Sequence, residues 1–118
     1  MAGVFKQLLD TQRRRGGLFL LLLDPDRQNG NHNLAMAENA REFGVDAILV
    51  GSSLVLSPHY AESAELIKRC ASVPVIIFPG SAAQVSAHAD AVLFTSLISG
   101  RNPNFLIDEQ VKAAPLIK

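Results

Sequence analysis

The chain has 118 residues, 48% of them hydrophobic, with eleven acidic and eleven basic side chains and a formal net charge of zero. That is the length of one domain, residues 1–118, with apolar material for an ordinary core, so a disordered chain is excluded. The balanced charge excludes a strongly basic binder of nucleic acid or anionic lipid, so any anion must be held locally.

Cys70 is the one cysteine, so no internal disulfide can form, a structural zinc site is not expected, and a reducing, cytoplasmic setting is. No stretch reaches the roughly 20 apolar residues that span a bilayer. Val4–Arg15 spaces Val4, Leu8 and Leu9 as a helix does, and Gly16 supplies its stop. Arg13, Arg14 and Arg15 fall in its last turn, where they complement the helix dipole as a solvated end. The apolar run 18–23 reads as a first strand, is too short for a secretory signal core, and breaks into Asp24-Pro25-Asp26. Residues 27–33 form a polar loop with the turn signal Asn29-Gly30, followed by a helix over about 33–43 that Gly44 ends.

Ala47–Val50 is the second strand and runs into Gly51-Ser52-Ser53. Ser57-Pro58 is an N-cap and first-turn pair for a helix reaching about Cys70, whose thiol is expected to pack. The third strand, 75–78, ends in Pro79-Gly80-Ser81, and Ser81 caps a short helix over about 82–88. The fourth strand, 91–94, ends in Thr95-Ser96. A tail helix over 107–114 is expected to pack Leu106, Ile107, Val111 and Ala114, with Pro115 marking its end. Gly44-Val45-Asp46-Ala47 and His88-Ala89-Asp90-Ala91 lead similarly into strands two and four and hint at a repeated unit.

All four strands read as continuous apolar runs, the pattern of a parallel sheet covered on both faces. In such α/β sheets ligands bind where the carboxyl ends of the strands meet the following loops. The candidate site is therefore Asp24, Asp26, Ser52, Ser53 and Ser81, with Ser96 behind them.

Asp24 and Asp26 straddle Pro25, and their carboxylates are the hard ligands magnesium prefers, with Ser53 as a further oxygen donor. Asp and Pro also favour turns for their own backbone bonding, and the spacing supports both readings. Gly51-Ser52-Ser53 and Gly80-Ser81 place pliable backbone and hydroxyls where amides can approach a phosphate, or are plain turns. His32, His59 and His88 lack metal-ligand spacing and read as bystanders. Arg101, in Ser99-Gly100-Arg101-Asn102-Pro103, suits either a diphosphate contact or a tie within its loop.

Taken together, Leu23-Asp24-Pro25-Asp26-Arg27, Asp46-Ala47-Ile48-Leu49-Val50-Gly51-Ser52-Ser53, Ile77-Phe78-Pro79-Gly80-Ser81 and Ala89-Asp90-Ala91-Val92-Leu93-Phe94 with Ser99-Gly100-Arg101-Asn102-Pro103 closely resemble geranylgeranylglyceryl phosphate synthases. The resemblance runs over essentially the whole chain. It implies a parallel (β/α)4 half of a TIM-type (β/α)8 barrel, the alternative being a flattened, flavodoxin-like four-stranded sheet. It also implies magnesium, a prenyl diphosphate and glycerol 1-phosphate as ligands, and ether-lipid synthesis as the activity. By the same resemblance Asp24 and Ser53 are the magnesium ligands, with Asp26 and Arg27 second in rank; Asp26 and Arg27 together with Ser52, Ser81 and Arg101 from the loops above are the substrate-binding candidates.

Phe78, Leu93 and Phe94 read as core and would border a prenyl groove if they are not. Leu22 stands where some members carry a phosphate-contacting lysine, and the late loops that hold glycerol phosphate in such barrels are not in this sequence. Two other functions fit the residues: a non-catalytic half-barrel scaffold, or a simple phosphate-binding domain using Ser53 and Ser81. An open half barrel exposes strand edges and an apolar inner layer, so a homodimer or higher homo-oligomer is expected.

Overall fold

A computed structural model describes residues 3–26, 30–55 and 57–117. Its elements are α1 (Val4–Arg15), β1 (Leu20–Leu23), α2 (Gly30–Asn39), β2 (Ala47–Val50), α3 (Tyr60–Cys70), β3 (Val75–Ile77), β4 (Ala91–Val92) and α4 (Glu109–Ala113). The strands form one sheet in the order β1-β2-β3-β4, every pair parallel. Register aligns Leu21, Ile48 and Val75 in one row and Leu23, Val50, Ile77 and Val92 in the next. Side chains alternate across a strand, so both rows point to one face.

That face carries the core. Leu23, Ile48, Val50, Val75 and Ile77 are buried against Ala37 of α2 and Ala64 and Ile67 of α3. Burying one such branched side chain is worth about 1.5–3 kcal/mol, so this layer is the main support of the fold. On the opposite face Ala47 and Ile76 are buried, but Leu20 and Leu22 of the edge strand are 38% and 49% exposed. The expectation that all four runs are covered on both faces therefore fails at β1. The sequential order and the packing of α2 and α3 on one face also differ from the flavodoxin arrangement, in which strand order reverses and helices flank both faces.

Several expected boundaries shift, each for a tertiary reason. The helix expected over 33–43 starts at Gly30 and stops at Asn39, because Ser72 takes both groups of the next helical bond. Its N–H and Oγ–H donate to Ala37 O at 3.1 and 3.3 Å, and its Oγ accepts the Arg41 N–H at 3.1 Å. The helix expected from Ser57 begins at Tyr60, and Ser57 Oγ instead accepts the His59 N–H at 3.1 Å in the preceding turn.

Only a 3-10 turn, Ala82–Gln84, stands where a helix over 82–88 was expected, and the Ser81 side chain does not cap it. The Ala82 N–H donates to Glu109 Oε2 at 2.6 Å instead. Strand β4 is two residues long, and Phe78 and Phe94, expected in the core, are 40% and 57% exposed.

The tail winds as a π-helical turn, Asn104–Asp108, before α4, with the Glu109 N–H bonded to Asn104 O. Of its residues Ala113 is buried, whereas Leu106, Ile107, Val111 and Ala114 are exposed. Pro115 lies inside a closing 3-10 turn, Ala114–Leu116. Cys70, expected to pack, is exposed at the end of α3.

Candidate functional site

Parallel pairing of Leu23 with Val50 and Val50 with Ile77 brings the carboxyl ends of β1, β2 and β3 to one edge of the sheet. Asp24, Gly51 to Ser53 and Phe78 to Gly80 follow directly and line a cavity of about 220 Å³. The packing there is close enough to require glycine twice. A Cβ on Gly51 would sit 1.8 Å from Phe78 O, and one on Gly80 would sit 2.5 Å from Ser52 O.

Asp24 is half-buried, and its carboxylate is held in place: Oδ1 accepts the Asp26 N–H at 2.9 Å, closing an Asx turn across Pro25. The Ser52 hydroxyl lies between Leu54 O at 2.9 Å and Asp24 Oδ2 at 3.3 Å, and its one proton serves both. Asn33, buried on α2, donates from Nδ2 to Asp24 O at 3.3 Å. Thus Asp24-Pro25-Asp26 is a turn, and it is a turn that fixes a carboxylate at the cavity wall.

Of the residues expected in the site, Asp24, Ser52 and Ser53 line this cavity together. Ser53 is exposed and Ser52 is buried, so Ser52 braces Asp24 from behind while Ser53 stands at the opening. Asp26 is half-buried beside Asp24. Ser81 lines a second cavity of about 340 Å³ that shares Ser53, Pro79 and Gly80 with the first and is walled by Val92, Leu93 and Phe94. Arg101 is exposed and lines neither cavity, and Asn102 Oδ1 ties its loop by accepting the Asn104 N–H at 3.0 Å. Arg27 lies outside the described residues.

Three supporting residues were not legible beforehand. Gln84, 2% exposed, bonds Ser52 and Gly80. Its signal was a single amide between small apolar residues, which reads as surface. Tyr60, the one tyrosine, is 5% exposed. Burial first, and then the negative charges of Asp24 and Asp26, push its phenol up to about 12. Its hydroxyl has no hydrogen-bond partner among the described residues. Glu109 is held below the usual carboxylate range, chiefly by the Ala82 N–H and then by Lys112.

Among the described residues lining it, the site offers a cation oxygen donors, from Asp24, Ser52 and Ser53. Among the described residues no three His, Cys, Asp or Glu side chains cluster to hold a metal. A carboxylate and a hydroxyl with the remaining positions open suit magnesium, which keeps several waters and shares substrate phosphates.

No helix among the described residues is long and apolar enough to cross a membrane. The chain aligns at a TM-score of 0.86 and 35% identity with the crystal structure of (S)-3-O-geranylgeranylglyceryl phosphate synthase from Thermoplasma acidophilum in complex with sn-glycerol-1-phosphate. The alignment covers 98% of this chain and 47% of that one. For the wild-type enzyme from Thermoplasma volcanium the TM-score is 0.85 at 29% identity.

A geranylgeranylglyceryl phosphate synthase from Thermofilum pendens is 38% identical over 94% of this chain and 44% of its own length. One from Chitinophaga pinensis is 49% identical over 63% of this chain and 29% of its own. The chain thus spans less than half the length of these relatives, and its fold is that of a parallel (β/α)4 half barrel. The model of the PcrB family matches residues 9–118, and the chain belongs to that family.

Proposed function

We propose that the cavity at the carboxyl ends of β1 to β3 is the diphosphate end of a geranylgeranylglyceryl phosphate synthase, the enzyme joining a prenyl diphosphate to glycerol 1-phosphate in ether-lipid synthesis. The observation that carries this reading is the braced Asp24 carboxylate beside Ser53 in one cavity, in a chain of this family. In the reaction the glycerol hydroxyl oxygen forms a bond to the allylic carbon and releases its proton. The carbon–oxygen bond to diphosphate breaks, and the electron pair leaves with the diphosphate.

Asp24 and Ser53 would hold magnesium, which when bound supplies positive charge opposite the departing diphosphate oxygens. The chain's own residues do the positioning. The Asx turn and Ser52 keep the Asp24 carboxylate in one orientation, so no side-chain reorganisation is needed when an anion and its cation arrive. Gly51 and Gly80 let the loops after β2 and β3 pack backbone against backbone, which sets the shape of the cavity wall. Asp26, Arg27 and Ser81 are the further substrate contacts of this reading, and the apolar second cavity, with Phe94 on its wall, is a groove of the kind a prenyl tail needs.

Calorimetric titration with pyrophosphate, with and without magnesium, tests it. Magnesium is expected to strengthen binding in the wild type, to lose that effect in Asp24→Asn, and to keep part of it in Ser53→Ala. Asparagine still accepts the Asp26 N–H, so the turn survives. An undiminished magnesium effect in Asp24→Asn rejects the assignment.

A non-catalytic, self-associating half barrel is the second reading, favoured by the open edges of β1 and β4 and by exposed Leu20 and Leu22. In both readings two copies of this chain pair as a homodimer, and exposed, free Cys70 suits the reducing cytoplasm. Sedimentation at high dilution that finds a folded monomer rejects the pairing.

A further inference from the structure

The Gln84 carboxamide makes three hydrogen bonds at this end of the sheet. It is 2% exposed and reaches from the turn after β3 to the backbone after β2. Its Oε1 accepts the Ser52 N–H at 3.2 Å and the Gly80 N–H at 3.1 Å, while its Nε2 donates to Ser52 O at 2.7 Å. Two N–H donors on one side and a carbonyl on the other fix which end of the amide is oxygen. One side chain thus grips both polar groups of Ser52 and joins them to Gly80.

The grip lies where the sheet itself has stopped. Regular pairing between β2 and β3 ends at Val50 and Ile77, so the backbone of Ser52 and Gly80 has left the ladder. Gly80 is packed so closely that a Cβ on it would lie 2.5 Å from Ser52 O and 3.1 Å from Gln84 Nε2. Ser53 and Gly80 form the wall common to the two cavities.

We infer that Gln84 is a positioning residue for the carboxyl-end site: it extends the register of β2 and β3 past the sheet and sets where Ser53 and Gly80 stand relative to Asp24. It touches the ligands only through these residues. The consequence for ligand binding rests on the diphosphate reading above, and the clamp itself does not.

The test uses the full chain and two readouts. Amide hydrogen exchange by NMR reads Ser52 and Gly80, with Val50 in the ladder as the internal reference. Calorimetry reads magnesium pyrophosphate. In Gln84→Met the Ser52 and Gly80 amides are expected to exchange about tenfold faster while Val50 stays protected, and magnesium pyrophosphate is expected to bind about tenfold more weakly, the usual effect of removing a residue that orients a ligating group.

Gln84→Glu guards against a misfolded variant. Its ionised carboxylate cannot donate to Ser52 O, whereas the neutral acid matches the amide atom for atom. Burial raises the pKa of such a carboxyl, so protection at Ser52 and Gly80 should return between about pH 8 and about pH 5 in Gln84→Glu and not in Gln84→Met. Unchanged exchange at Ser52 and Gly80 in Gln84→Met overturns the inference, as does faster exchange with full affinity. If the wild type shows no magnesium-dependent pyrophosphate binding but exchange rises locally, the diphosphate reading fails and the clamp stands.

Discussion

Asp46 and Asp90 make the same contact two strands apart. Asp46 donates its N–H to Phe19 O at 2.8 Å and accepts the Phe19 N–H on Oδ2 at 2.9 Å. Asp90 donates its N–H to Val75 O at 2.9 Å and accepts the Val75 N–H on Oδ2 at 2.8 Å. Each carboxylate also pairs with a base from the helix preceding the strand it grips, Arg15 of α1 for Asp46 and Lys68 of α3 for Asp90. The two short sequence matches around these residues therefore mark one device used twice, which joins neighbouring strands at their amino ends.

Removing either carboxylate orphans a backbone N–H, so Asp46→Ala and Asp90→Ala are each expected to cost about 1–3 kcal/mol. Asp46 should cost more, because its side chain is 9% exposed against 30% for Asp90. Lys68→Met, which removes only a partly exposed ion pair, should cost less than about 1 kcal/mol. Urea denaturation of the three variants measures this, and a Lys68→Met loss equal to that of Asp90→Ala contradicts the backbone role.

At the other end of the sheet, Gly51→Ala places a methyl group on Phe78 O, a backbone atom that cannot swing away. The β2 and β3 ends must separate, at a cost of about 1–3 kcal/mol or more. Thermal melting compares it with Gly17→Ala, where a Cβ meets nothing within 4 Å. Equal melting temperatures would dismiss the close approach.

Tyr60 is the only tyrosine, so phenolate absorbance reads it alone. Burial, then the charges of Asp24 and Asp26, hold its folded pKa at about 12, above the ordinary phenol value of 10.0. A raised acid pKa means the folded state holds the proton more tightly, so this contribution is complete below pH 10 and is lost as pH rises toward 12. The absorbance transition should fall near 12 while the chain is folded and near 10 in urea. In Tyr60→Phe the alkaline loss of stability should be smaller, and the loss of a buried hydroxyl without a partner among the described residues should leave neutral-pH stability unchanged or improved.

Glu109 titrates in the opposite sense. Its folded pKa is lowered, chiefly by the Ala82 N–H, so its contribution is present above the unfolded carboxyl pKa and is lost as pH falls through the folded one. Melting temperature against pH should therefore decline less steeply on the acid side in Glu109→Gln. An acid limb of identical slope would mean that the Ala82 contact is not maintained in solution.

The local patterns of the chain determined its strands, their parallel pairing and the end of the sheet at which Asp24, Ser52 and Ser53 line a cavity. Runs such as Ala47–Val50 are too short and too branched to be helices, and small or acidic residues at their ends leave room for a ligand. The placing of Asp24, Ser52 and Ser53 at that end follows from the same arithmetic of strand and loop.

Tertiary structure alone decided where helices stop and what braces the site. Nothing local to Ala37 or Arg41 reveals that Ser72, more than thirty residues on, will take their hydrogen bonds and end α2. Nor does anything local to Gln84 or Glu109 reveal that one ties Ser52 to Gly80 and the other holds Ala82 from α4. A periodicity reports which face of a segment is apolar. It carries no information on which distant polar group will meet a backbone amide, because that depends on how packed elements meet in space.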